Sequence, residues 1–174
     1  MITCTADESG RVLAMSYFHH VDAAEVKRCL GTVRDLINQL QPGFVLLTDL
    51  SGLESMEPDC APDLGEIMDL CGERGMSTVV RVIPDPTKDI GFGLISKFHL
   101  PAAVNVQTHE SLAQAITALL QDLPEKPGEN PSPQQLERLA EDLQAEAHFT
   151  TEARKEAEVN EGGLVEELAS HHPR

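Results

Sequence analysis

Apolar and polar positions alternate along the N-terminal stretch in a way that predicts two strands. Ile2 to Thr5 is short and alternating, Glu8-Ser9-Gly10 is a turn, and Arg11 to Phe18 alternates again. In the second run Val12, Ala14, Ser16 and Phe18 share one side, and Leu13, Met15 and Tyr17 the other, as the period of a strand requires. Two such runs across a glycine-containing turn predict an antiparallel hairpin. From Asp22 the period changes. Val26, Leu30, Val33, Ile37 and Leu40 recur at spacings of three and four, the stripe of a helix that faces a core. Asp22 with Glu25 three residues on is a capping-box signature at its start, and Gln41-Pro42-Gly43 ends it.

The run Phe44 to Leu50 is short and apolar, and predicts a buried strand. Residues 51–62 are mostly polar and predict a loop. Pro62 then fits the first turn of a helix with Leu64, Ile67, Met68 and Cys71 on its inner face, stopped at Gly75. Thr78 to Ile83 predicts another buried strand, and residues 85–89 a loop. Ile90, Leu94, Ile95 and Phe98 predict a short helix that ends before Pro101. Val104 to Gln107 predicts a last strand. A helix capped by Thr108 or Ser111 follows, with Leu112, Ile116 and Leu119 inward. Strands that alternate with helices in this order predict an α/β fold. Its sheet is mixed, mostly parallel and five-stranded, with four helices and an antiparallel first strand.

Composition changes the picture beyond residue 121. Residues 122–131 carry three prolines and a glycine and predict a linker between the α/β domain, 1–121, and a C-terminal extension, 132–174. Ser132-Pro133-Gln134-Gln135 predicts a helix start, and Leu136, Leu139 and Leu143 form one narrow stripe. The rest of the extension is charged and predicts a solvated tail, though Gly163–Ala169 is weakly amphipathic. Whether the extension folds back on the domain, joins a homodimer through the leucines or floats free is open at this point.

Charge excludes some function classes. Residues 1–121 hold 8 Lys and Arg against 16 Asp and Glu, and residues 122–174 hold 5 against 13. Such a surface repels nucleic acid phosphates and anionic lipid. No apolar run is long enough for a membrane span. Cys4, Cys29, Cys60 and Cys71 show no paired spacing, which argues against a zinc knot or disulfide framework and makes the cytoplasm the expected compartment.

The stretch Thr48-Asp49-Leu50-Ser51-Gly52-Leu53-Glu54-Ser55-Met56-Glu57-Pro58-Asp59, with the helix behind it, resembles the STAS domain of bacterial anti-sigma-factor antagonists. In that family a strand ends in an L-D-L-S-type sequence, and Asp-Ser-Ser-Gly follows at a helix N-terminus. The element order of residues 1–121 also resembles that β-α superhelix. The resemblance implies a regulatory module with an anti-sigma-factor or kinase-like protein partner and no catalysis. It also implies where this chain departs from the pattern. Glu57 falls on the family's Asp, and Pro58 and Asp59 fall on its two serines. The second of those serines is the phosphate acceptor, and neither Pro58 nor Asp59 can take its place. Asp59 is then either a fixed negative charge in the acceptor position or an ordinary helix-capping residue.

The residues expected to meet a partner are Asp49, Ser51, Glu57, Pro58, Asp59 and Cys60. Cys60 sits just before a helix N-terminus, which favours a thiolate, but Glu57 and Asp59 oppose this, so a buried small side chain is expected. His19 and His20 are adjacent on a strand, point to opposite faces and form no chelating pair. The acidic residues near the loop match no calcium loop. No cofactor, metal or catalytic residue is expected. The second reading is a carrier that holds a small apolar molecule or lipid between helices and sheet.

Overall fold

The chain was examined as a computed structural model, in which residues 1–85, 90–123, 130–139, 141 and 145 are described. The expected loop at 86–89, most of the expected linker, Leu143 and the solvated tail lie outside the described residues. The strands are β1 (Ile2–Ala6), β2 (Val12–Val21), β3 (Val45–Met56), β4 (Thr78–Val82) and β5 (Asn105–His109). The helices are α1 (Ala23–Leu36), α2 (Ala61–Glu73), α3 (Ile90–His99) and α4 (Leu112–Asp122). Short 3-10 turns follow α1 at Ile37–Gln39 and precede α2 at Pro58–Cys60, and residues 133–139 are also helical. The sheet order is β1-β2-β3-β4-β5, with β1 antiparallel to β2 and the rest parallel. The mixed α/β architecture expected from the periodicity is therefore the one observed.

Local chemistry explains where the elements begin. The hairpin turn is organised by one carboxylate. Asp7 Oδ1 accepts from the backbone N–H groups of Arg11 at 2.7 Å and Val12 at 2.6 Å, and Oδ2 accepts from Ser9 N–H at 3.1 Å. Gly10 closes the turn at φ +67°, a conformation that L side chains rarely adopt. The capping box of α1 is complete: Asp22 accepts from Glu25 N–H at 2.8 Å, and Glu25 accepts from Asp22 N–H at 3.4 Å. Ser111, one of the two caps considered, is the one that caps α4.

Strand alternation divides the core in two. Leu13, Met15, Tyr17, Leu46 and Val79 face α1 and α2 in one buried cluster. Val12, Ala14, Val45, Leu47, Val80 and Val82 belong to a second cluster, with Ala115, Ile116 and Leu119 of α4 and Leu136 of the extension. The extension thus folds back on the domain at Leu136, which is completely buried.

One expectation is corrected. The strand expected at 44–50 runs on to Met56, so residues 51–56 are strand and not loop. β4 ends at Val82, opposite Asp49, whereas β2 continues alongside β3 to Val21. Residues 51–56 therefore form a two-stranded ribbon with water on much of its surface, which lets polar side chains occupy a strand. Phe98, one of the apolar positions that predicted α3, is 79 % exposed. Ser96 is buried, and a residue two places on lies about 200° around the helix.

Candidate functional site

The corner where β3 hands over to α2 is built from backbone anchors inside and polar side chains outside. The carbonyl of Val21, at the end of β2, accepts from Glu57 N–H at 3.0 Å and from the Cys60 thiol at 3.7 Å. Asp22, the next residue, caps α1. One junction thus fixes both the start of α1 and the approach to α2. Pro58 opens the helical turn, with Glu57 extended before it at φ −69°, ψ 142°. The helical run therefore begins four residues earlier than Pro62. This suits proline, whose fixed φ and missing N–H fit a first helical position.

The six residues expected to meet a partner divide into two groups. Ser51, Glu57, Pro58 and Asp59 are exposed. Asp49 and Cys60 are 5 % and 1 % exposed, so they support the corner from beneath and do not present a surface. Asp49 Oδ1 accepts from Ser51 N–H at 2.9 Å, a local bond within β3. Asp59 and Asp63 lie near the start of α2, where the helix dipole favours negative charge by about 0.3–1 kcal/mol at exposed sites.

The structure adds His19, His20, Glu54 and Ser55 to this corner. His19 Nδ1 is 3.2 Å from Glu54 Oε1. His20 Nδ1 is 2.8 Å from Ser55 Oγ, and its Nε2 is 3.5 Å from Glu57 Oε1. The histidines take separate partners because the ladder between β2 and β3 shifts register between them, and His19 sits at φ +55°. No spacing in the sequence brings positions 20 and 55 together; only the parallel register does. Among the described residues no group of three His, Cys, Asp or Glu side chains could hold a metal ion.

The described thiols are shielded. Burial is the main force that raises the Cys60 pKa, and the nearby Glu57, Asp22 and Asp59 charges add to it. Cys71 is pushed from 9.0 up to about 12, first by burial and then by neighbouring Cys29. Burial also pushes the Tyr17 phenol up. The consequence for stability has a definite sign. Below pH 9 the Cys71 thiol is protonated whether the chain is folded or not. Between pH 9 and about 12 the unfolded chain ionises and the folded chain does not, so stability falls across that window. Urea midpoints at pH 8 and pH 11 check this, and equal midpoints would contradict it.

Beneath α2 the sheet face holds a polar group that the sequence did not announce. Arg81, in the apolar run of β4, is buried and donates to Ser96 Oγ. Ser96 in turn lies 3.8 Å from Met68 Sδ. Beside them is a cavity of about 20 Å³, lined by Tyr17, Thr48, Leu64, Met68, Arg81 and Leu100 among others. That volume suits about one water molecule, whereas pockets for drug-sized ligands measure about 300–1,000 Å³.

No family model matches the sequence, and neither does any curated protein. Solved structures do match. An uncharacterized protein of the DUF3478 family from Shewanella loihica, described as having a SpoIIAA-like fold, superposes with a TM-score of 0.52 at 13% identity. The match covers 68% of this chain and 92% of that one. The chain has a STAS-like fold. The anti-sigma factor antagonist SpoIIAA in its unphosphorylated form is also similar, with a TM-score of 0.48 at 11% identity over 70% of this chain and 98% of its own. An anti-sigma factor antagonist from Mycobacterium paratuberculosis gives 0.46 at 19% identity, over 69% and 95%. Within the STAS-like frame, the corner lies at the carboxyl end of a parallel strand, where open α/β sheets commonly bind their ligands. No described helix is long and apolar enough to cross a membrane.

Proposed function

We propose that this chain is a regulatory binding module without catalysis, whose acidic corner meets a protein partner of the anti-sigma-factor or kinase-like type. The observation that carries the reading is the presentation of Glu57, Pro58 and Asp59. All three are exposed on a turn whose backbone is tied to Val21, at the mouth of α2. A rigid polar turn lowers the ordering cost of association. Asp59 occupies the position that the sequence resemblance gives to the phosphate-accepting serine. Its carboxylate is a fixed charge where a phosphoserine would carry about −1.5 to −2 at neutral pH. On this reading the module is held in a state that mimics the phosphorylated one, and a phosphatase cannot reset it.

The test is a binding titration against anti-sigma-factor kinases. Glu57→Lys with Asp59→Lys is expected to weaken binding at least about tenfold while lowering the thermal midpoint by only a few degrees, the cost of reversing exposed charge at a helix start. Unchanged affinity in that variant would overturn the reading. Incubation with the same kinases and ATP should leave the unaltered chain without phosphate, whereas Asp59→Ser should acquire an acceptor. Stoichiometric phosphate on Ser51 or Ser55 of the unaltered chain would show that the switch still operates.

A further inference from the structure

The second face of the sheet has two covers of unlike construction. α4 lays Ala115, Ile116 and Leu119 along it. The other cover is the segment 130–139, attached by very little. Pro131 and Leu136 are buried and Leu139 is half-buried, whereas residues 132–135, 137 and 138 are exposed. Leu136 belongs to that buried cluster with Val12, Ala14, Val45 and Leu47, and Leu139 packs against it from the partly buried side.

The helix does not depend on the sheet for its start. Ser132 Oγ accepts from Gln135 N–H at 3.3 Å, and Gln135 Oε1 accepts from Ser132 N–H at 2.7 Å. This reciprocal capping box, with Pro133 at the first helical position, is encoded entirely within the segment. A short helix that carries its own cap and buries Leu136, with Leu139 beside it, on the sheet has the properties of a bound peptide joined to its receptor.

We propose that the second sheet face is a helix-docking groove, that segment 130–139 is its exchangeable occupant, and that the same segment of a second copy of this chain can replace it. What fits the groove is on view: an amphipathic helix with a leucine at its centre and polar flanks. Exchange between copies rebuilds the same contacts in trans, so it loses no side-chain packing. Residues 124–129, Pro-Glu-Lys-Pro-Gly-Glu in sequence, supply the tether. The segment belongs to the same chain and so is favoured over a second copy, and exchange becomes measurable at high protein concentration or once Leu136 is weakened.

The test uses the full chain. A fluorescent peptide of residues 130–145 is titrated against the unaltered protein and against Leu136→Asp, whose folding is read from its amide spectrum. The peptide should bind Leu136→Asp at least tenfold more tightly than the unaltered chain, and a Leu136→Ala peptide should lose that binding. Equal affinity for both chains, or no binding to folded Leu136→Asp, overturns the proposal. Where Leu136→Asp fails to fold, the unaltered chain decides. After refolding at millimolar concentration it should show dimers by light scattering, and amides of residues 136–139 should exchange at least a hundredfold faster than those of β3. A strictly monomeric product, or exchange of the segment together with β3 in one step, overturns it.

Discussion

A Phe44→Ala chain will lose about 3–5 kcal/mol of folding stability, the range found when a large aromatic side chain is deleted from a core. Phe44 is completely buried, at the point where the Pro42-Gly43 turn becomes β3. Its backbone is committed as well. Phe44 N–H donates to Gln41 O at 3.1 Å, and its carbonyl accepts from Ser77 N–H at 3.0 Å and Ser77 Oγ at 3.2 Å. With the backbone fixed on both sides, the surroundings cannot collapse into the space, so the cost should fall toward the upper end. At roughly 2–4 °C per kcal/mol for a chain of this size, the melting midpoint should drop by roughly 10 °C or more. Calorimetry or a thermal circular dichroism scan reads this directly. A drop under about 3 °C would mean that the site relaxes freely.

Gly10→Ala will be the second most damaging of the changes considered. The residue lies at φ +67°, and a Cβ there would sit 2.3 Å from the carbonyl oxygen of Gln39. The left-handed conformation costs an L-residue about 1–2 kcal/mol, and forced displacement of packed atoms about 1–3 kcal/mol more. The obstacle is backbone and not a flexible side chain, and Gly10 O also accepts from Gln41 N–H at 2.8 Å. Gly43→Ala separates the two contributions. Gly43 lies at φ +88° with nothing within 4 Å of the added carbon, so it carries the conformational cost alone. Urea denaturation should therefore rank Gly10→Ala clearly below Gly43→Ala. Equal losses would show that the Gln39 carbonyl moves away at no cost.

Elements whose partners are close in the chain were legible in the sequence. The α1 capping box needs only Asp22 and Glu25, and the faces of β2 follow from its alternation. The STAS-like order of elements followed from the same periodicities. Features that depend on distant partners were not legible. Ser51, Glu54 and Ser55 read as loop because polar side chains ordinarily leave a sheet. They form strand because β2 outlasts β4. Arg81 passed for one residue of an apolar strand, yet it places polar Ser96 on the buried side of α3 and so turns Phe98 outward. Of the expected contact residues, Ser51, Glu57, Pro58 and Asp59 are exposed at the corner. Cys60 is buried, as its acidic neighbours suggested, whereas the burial of Asp49, 5 % exposed beneath the corner, leaves no mark in sequence spacing.

The ribbon formed by residues 51–56 has a consequence for divergence. Its strand pairing comes from main-chain groups, and its outward side chains contribute little to the two buried clusters. Positions 51, 54 and 55 can therefore exchange acid for base, or small for large, without touching the two buried clusters. Sibling proteins built on the same scaffold can acquire different binding preferences at that corner while their cores stay the same.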